Sequence, residues 1–281
     1  MKLRDGEMKL MQQMVRQMCG ITLDNSKGYL IETRLGAIAQ RFGCENFNEL
    51  YIALRHGGDD ALKNEIMDAI TTHETTWFRD GGPYDMFERT LLVDVIEARR
   101  RLGQTKRLRI WSAACSTGQE PYSIAMILKE RLPDIASWNI EILATDISVG
   151  TVAKARSGLF SKLDISRTAR PNLTKKYIKQ ERDGFRVTED LRRMVTFEAR
   201  NLLMPFTGLG PFDIVFLRNV LIYFDAQTRG DIVERTAKVM HPHGYLIAGG
   251  SEYLRDVGGG VAAKMISGIP VYQPYFDLVK K

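Results

Sequence analysis

Cysteine is scarce in this chain: Cys19, Cys44 and Cys115 are the only three in 281 residues. An odd count, wide spacing and the lack of any C-x-x-C argue against a disulfide framework and a structural zinc site, and fit a reducing cytoplasm. No run approaches the ~18 apolar residues that a membrane-spanning helix needs, so no membrane insertion is expected. The charged start, Met1 to Glu7, has no apolar stretch behind it and does not read as a secretory signal. Internal repeats and low-complexity runs are missing. So are G-x-G-x-x-G and the lysine of a P-loop, which weakens dinucleotide and triphosphate readings. What remains is an ordinary globular composition, 44% hydrophobic and 26% charged, of a length that suits one large domain or two smaller ones.

The net charge of +6 is unevenly spread. Residues 1–90 carry 11 basic and 14 acidic side chains, whereas residues 154–200 carry 13 and 6, a local surplus of +7. A surplus this size does not by itself imply nucleic acid. On residues 25–42, Lys27, Arg34 and Arg41 recur every seven positions, so they share one helix face. That face either docks an acidic partner or is simply solvated.

Residues 7–90 read as helical. Met8, Met11, Met14, Val15 and Met18 form one stripe, stopped by Gly20. Asp24-Asn25-Ser26 caps a second helix to about Phe42. Phe47, Leu50, Tyr51 and Leu54 mark a third helix, ended by Gly57-Gly58, and Ala61 to Ile70 a fourth. After residue 105 the pattern changes. Strands are expected at 108–114, 140–145, 212–217 and 245–248, separated by helices at 121–132, 149–156 and 226–240. Such alternation implies a mostly parallel sheet covered on both faces. Residues 158–200 interrupt it as a polar, basic insertion. His241-Pro242-His243-Gly244 reads as a helix-to-strand turn, not a metal site.

Ser112 to Ser123 is the first strand–turn–helix unit. Small residues there let the backbone approach a ligand at the carboxyl ends of the strands, and Cys115 fits as one of them. Glu120 opens the helix, where a carboxylate either meets an amine-bearing ligand or stabilises the first turn. Asp146 closes the second strand, a place suited to a ribose diol; the competing role, a helix cap, can fall to Ser148. Together these suit an adenosyl ligand with a positive centre, and S-adenosylmethionine fits.

Several blocks then match one family in order. Thr71-Thr72-His73-Glu74-Thr75-Thr76-Trp77-Phe78-Arg79 resembles T-T-N-E-T-x-F-F-R, and Gly118 to Ser123 resembles G-E-E-P-Y-S. Ala144 to Ser148, Asn201-Leu202-Leu203, Arg218 to Phe224 and Gly249-Gly250-Ser251-Glu252 complete the set. Over about residues 10–280 the chain resembles the CheR family, the chemotaxis receptor methyltransferases. The resemblance implies an α/β, Rossmann-like S-adenosylmethionine-dependent methyltransferase core over 91–281, carrying a small antiparallel β insertion at about 158–195. It implies an all-α N-terminal domain over 1–90. It places His73, Thr75, Arg79, Glu120, Asp146, Asn201, Leu202, Asn219 and Val220 around the cofactor. Arg79 would clamp the methionine carboxylate, Glu120 the ammonium and Asp146 the ribose. Asn201 and Leu202 would read the adenine edge, and Tyr223 would orient the substrate carboxylate.

The expected activity is methylation of glutamate side chains on acidic cytoplasmic helices of methyl-accepting chemotaxis receptors, by a monomer that binds no nucleic acid. Two positions depart from the family pattern: His73 stands for Asn, and Gln119 for the first Glu. The short turn Glu181-Arg182-Asp183-Gly184-Phe185, with one glycine, leans toward an enzyme that needs no receptor tail as a tether. The rivals are a nucleic-acid methyltransferase and a non-catalytic adaptor that senses S-adenosylmethionine. Arg218-Asn219-Val220-Leu221 stands where the first would want N-P-P-Y or D-P-P-Y. The joint presence of Arg79, Glu120, Asp146 and Tyr223 speaks against the second.

Overall fold

The computed structural model describes residues 1–56, 59–104, 106–254 and 260–275; the expected stop at Gly57-Gly58 lies outside them. The N-terminal part is a bundle of α1 (Glu7–Cys19), α2 (Gly28–Arg41), α3 (Phe47–Arg55) and α4 (Asp60–Ile70). The methionine stripe faces inward: Met11, Met14 and Val15 pack with Ile31, Leu35, Phe47, Leu50 and Ile66 in one core. Gly20 closes α1 in the left-handed conformation, φ 75°. Asp24 caps a single 3-10 turn, Asn25–Lys27, and α2 proper begins only at Gly28.

Residues 71–81 are not helical, contrary to the expectation for 7–90. The β-branched Thr71-Thr72 and Thr75-Thr76 pairs disfavour helix, and Trp77 instead bridges to Thr168 of the insertion. A continuous helical rod follows: α5 (Gly82–Met86), a π turn at Phe87–Leu91, and α6 (Leu92–Arg101). Its Tyr84, Phe87, Leu91 and Val95 sit in the core of the sheet domain. The rod therefore crosses residue 90, and the passage between bundle and sheet domain falls at 71–81.

The sheet domain comprises β1 (Arg107–Ala113), α7 (Gln119–Arg131), β2 (Asn139–Asp146) and α8 (Val149–Ser157). Then come β3 (Leu159–Phe160), α9 (Lys162–Ser166), α10 (Pro171–Tyr177), β4 (Ile178–Glu181), β5 (Gly184–Val187) and α11 (Glu189–Arg192). The chain continues as β6 (Val195–Ala199), β7 (Phe212–Leu217), α12 (Ala226–Lys238), β8 (Met240–Ala248), β9 (Val261–Ile266) and β10 (Ile269–Pro274). The main sheet runs β6-β2-β1-β7-β8-β10-β9. The first five strands are parallel, and β10 and β9 are antiparallel additions. Every residue of β7 is buried, as suits a parallel strand covered on both faces. The insertion is an antiparallel β3-β5-β4 sheet, with β4 and β5 joined through the two-residue turn Arg182-Asp183.

The His241-Pro242-His243-Gly244 segment lies inside β8, not in a turn. The β7–β8 register slips there, from Phe212 opposite Met240 to Ile214 opposite Tyr245. A side chain at Gly244 would meet the Asp213 carbonyl at 2.8 Å, so the strands come close at this bulge. Asp213 beneath it is fully buried and holds Arg99 through two bonds of 2.7 and 2.8 Å.

Candidate functional site

In open parallel sheets, ligands bind beyond the carboxyl ends of the strands where the strand order reverses. Here the chain runs outward from β1 to β2 and β6 on one side, and from β7 to β8 on the other. The crevice between the ends of β1 and β7 opens into a cavity of about 900 Å³, counting its mouth. Its walls come from the turn after β1, the ends of β2 and β7, residues 71–79 and 200–202, and Cys19 and Ile21 of the bundle.

The turn after β1 is tightly wound. Ala114 and Ser116 are left-handed at φ 58° and 51°, and Gly118 at 96°. Such backbone is costly for residues with a Cβ, and it clusters at functional turns. A side chain at Gly118 would lie 3.0 Å from the Ala155 methyl, so α7 and α8 approach too closely for one. The Ser116 N–H donates to Asp146 Oδ2 at 2.8 Å, and its hydroxyl donates to the His73 carbonyl at 2.8 Å. One turn thereby joins β1, β2 and the 71–79 segment.

Asp146 is buried, and its other oxygen accepts the Ser148 N–H at 3.1 Å. The Ser148 hydroxyl caps α8 through Thr151, so Asp146 has no capping duty and keeps free lone pairs. Burial raises its pKa, opposed by the Ser148 and Ser116 N–H bonds and by His73. Glu120 is buried as well. It accepts from the Ser112 hydroxyl at 2.8 Å and from Arg218 at 3.0 Å, facing inward instead of onto the N–H groups of its own helix. Burial raises this carboxyl too; Arg218 chiefly, then Ser112 and Arg79, hold it down.

Arg218 is the residue the sequence reading passed over. Its side chain is 1% exposed. It donates to Glu120, to Asp80 at 2.8 Å and to the Arg79 carbonyl at 3.0 Å, and its guanidinium lies 5.4 Å above the Tyr84 ring. The signal was present: Arg218 is a lone cation ending the apolar run of β7. A cation in such a run requires buried anions to meet it.

All ten expected cofactor and catalytic residues line this cavity: His73, Thr75, Arg79, Glu120, Asp146, Asn201, Leu202, Asn219, Val220 and Tyr223. Some are committed elsewhere too. The Asn201 amide donates to the Met18 carbonyl at 2.7 Å and accepts the Leu203 N–H at 2.9 Å. Its side chain, expected to read adenine, is thus first of all a tie to the unsatisfied end of α1. His73 turns its Nε2 to the Thr71 hydroxyl (3.0 Å) and the Asp68 carbonyl (3.2 Å). Arg79 is anchored by one bond to the Glu74 carbonyl. Tyr223 lies in a 3-10 turn, Leu221–Tyr223, and its carbonyl accepts the Thr22 N–H of the bundle at 3.0 Å. Cys115 is buried with its thiol pKa raised by desolvation, in keeping with a small-residue role.

The expected basic stripe is not assembled as a free face. Arg34 is half-buried and points its guanidinium at the carbonyls of Ala69, Ile70 and Thr71, 3.3–3.4 Å away, at the end of α4. Arg41 pairs with Glu65 of α4. Lys27 ends the preceding 3-10 turn. The unsatisfied carbonyls and the acid of a neighbouring helix have claimed two of the three cations.

Two family models match the chain: "CheR methyltransferase, all-alpha domain" over residues 6–71, and "CheR methyltransferase, SAM binding domain" over 73–263. Their junction coincides with the extended segment after α4. A chemotaxis protein methyltransferase 1 of Pseudomonas aeruginosa is 37% identical over 264 residues, covering 92% of this chain and 93% of that protein. A chemotaxis protein methyltransferase of Pseudomonas putida is 38% identical, covering 85% and 87%. One of Vibrio parahaemolyticus is 35% identical, covering 89% and 90%.

Proposed function

Because the chain belongs to the CheR methyltransferase family, we propose that it methylates glutamate side chains on the acidic cytoplasmic helices of chemotaxis receptors, giving methyl esters. The observation that carries this reading is the pairing, in one crevice, of two buried carboxylates with an arginine and a tyrosine at its wall. The cofactor is S-adenosylmethionine, and the site's donor set suits it. Asp146 keeps lone pairs for a ribose diol, Glu120 is a buried carboxylate for an ammonium, and Arg79 offers a fork for a carboxylate. The small residues after β1 allow close backbone approach.

When bound, S-adenosylmethionine supplies a methyl group on a sulfonium, activated for displacement. The substrate glutamate is already ionised at neutral pH, so the chain need supply no general base. Its residues have a different task. The Tyr223 phenol orients the substrate carboxylate, Glu120 and Arg79 hold the two ends of the amino-acid moiety, and the buried walls strip water from the reacting groups. Cys19 and Ile21 bring the bundle into that wall.

Tritiated-methyl transfer to receptor-containing membranes tests the reading. Base-labile counts released as volatile methanol are expected, since a carboxyl ester hydrolyses readily. Base-stable counts would place the methyl on nitrogen or nucleic acid instead, and no incorporation with any receptor tried would favour a cofactor-sensing adaptor.

A further inference from the structure

Glu252 follows β8 and is 5% exposed. Its Oε2 accepts the N–H groups of Asn219 and Gly249, each at 2.7 Å. Its Oε1 accepts those of Leu221 at 2.7 Å and Ile222 at 3.3 Å. Four backbone donors, two on each oxygen, thus converge on one carboxylate, which is acceptor-only and can take them all. Three of the four belong to residues 219–222, the loop that leaves β7 and walls the cavity. That loop needs holding. Asn219 is left-handed at φ 57°, and the 3-10 turn that follows carries Tyr223. The seat is also tight: a side chain at Gly249 would lie 2.5 Å from Glu252 Oε2 and 2.9 Å from the Asn219 nitrogen.

We infer that Glu252 is a positioning residue, whose carboxylate fixes the backbone of Asn219–Ile222 and so shapes the cavity wall that binds the cofactor and presents Tyr223. The inference rests on reading this cavity as the S-adenosylmethionine site. Among the described residues, the hydrogen bonds of Glu252 to the wall all go to this backbone.

The test is S-adenosylhomocysteine affinity by titration calorimetry, at a temperature where circular dichroism shows each variant folded. Glu252→Gln keeps size and shape but turns an NH2 toward two of the four N–H donors. Glu252→Asp keeps an acceptor-only group with one methylene less reach. Binding is expected to weaken at least about ten-fold in Glu252→Gln, with Glu252→Asp recovering a good part of the loss. The KM for S-adenosylmethionine should rise in parallel. A role in stability alone would lower the melting temperature and leave the affinity of the folded protein unchanged. Affinity in Glu252→Gln within about two-fold of wild type therefore overturns the inference, as does an aspartate variant no better than the glutamine one. Should Glu252→Gln not fold, Gly249→Ala, which pushes on the same carboxylate, is read against the same thresholds. A wild-type protein that binds no S-adenosylhomocysteine overturns the reading of the cavity as well; normal wild-type binding with unaffected variants overturns the inference alone.

Discussion

At the scale of single residues, the site is organised by a buried charge pair. Burial raises the Glu120 carboxyl, and Arg218 facing it chiefly, then Ser112 and Arg79, favour its charged form. Tyr84, also against Arg218, is itself pushed far up by burial and stays neutral. Replacing Arg218 with Met leaves Glu120 with its desolvation, the Ser112 bond and the lesser Arg79 charge, so its pKa must rise further. Breaking a buried pair of this kind costs about 3–5 kcal/mol of stability. The more telling effect is on binding. On the proposed role of Glu120 at the cofactor ammonium, its protonation removes that attraction, so S-adenosylhomocysteine affinity in Arg218→Met should fall at least about ten-fold near neutral pH and recover as pH rises. Calorimetric titration from about pH 6 to pH 9 checks this, and a loss independent of pH would refute it. A second titration signature lies at the far end of the sheet. His241 Nε2 lies 2.8 Å from the Arg99 guanidinium, and burial with Arg99 beside it lowers its pKa. The unfolded chain then binds the extra proton first. Stability should drop as pH falls below about 6.5 and on through the lower folded value. The urea midpoint of His241→Gln should lose that part of the slope.

At the scale of elements, legibility followed burial and length. β1, β2 and β7 read clearly because strands buried on both faces are near-continuous apolar runs, even with Asp213 inside one of them. β6 did not, because Val195–Ala199 alternates buried and exposed residues inside a basic stretch. β9 is an edge strand whose Ala262 to Met265 are exposed, leaving no hydrophobic pattern to read. The histidines of β8 looked like a turn because Pro and Gly usually mark one; only the partner strand shows the bulge. The cavity residues are legible as blocks matching a family, whereas for Arg218 and Glu252, which stand in the same blocks, the sequence does not name the partners. Their roles depend on partners 98 and 30–33 residues away. The basic series Lys27, Arg34 and Arg41 shows what spacing leaves out. Helical spacing suggested one face for the three cations, but Lys27 stands before α2, and spacing is blind to a neighbouring helix. Arg34→Met should therefore cost about 1 kcal/mol of stability through the α4 carbonyls, read as a lower urea midpoint. Receptor kcat/KM should stay near wild type; a selective loss in receptor kinetics would restore the docking role.

At the scale of the molecule, the charge surplus and the two-part build take on a different meaning. Many cations of the +7 segment are paired within the protein: Arg170 with Asp85 and Glu88, Arg167 with Glu74, Lys176 with Glu130, Arg186 with Glu181. Three of these four reach outside the segment, joining the insertion to α5, the π turn, α7 and the 71–79 segment. The bundle is held just as specifically at the end of α1. Arg16 pairs with Asp225 at 2.6 Å, Asn201 ties Met18, and Thr22 ties Tyr223. At Gly20 the approach is close: a side chain there would lie 2.8–2.9 Å from Leu203 and Phe224, on a backbone that also disfavours one. Gly20→Val should therefore lift the end of α1 from the sheet domain while leaving both hydrophobic cores intact. Cys19 and Ile21, its neighbours, are cavity wall, so the lifted bundle opens the proposed cofactor site. The expected result is a near-native far-UV spectrum with S-adenosylhomocysteine affinity reduced at least about five-fold. Stabilisation by ligand follows RT ln(1 + [L]/Kd), about 2.7 kcal/mol at one hundred times Kd. At a fixed ligand concentration the variant should thus show a smaller ligand-induced rise in melting temperature. A Gly20→Val protein with the wild-type rise would mean that the bundle is not part of the cofactor wall, and that the sheet domain alone forms the site.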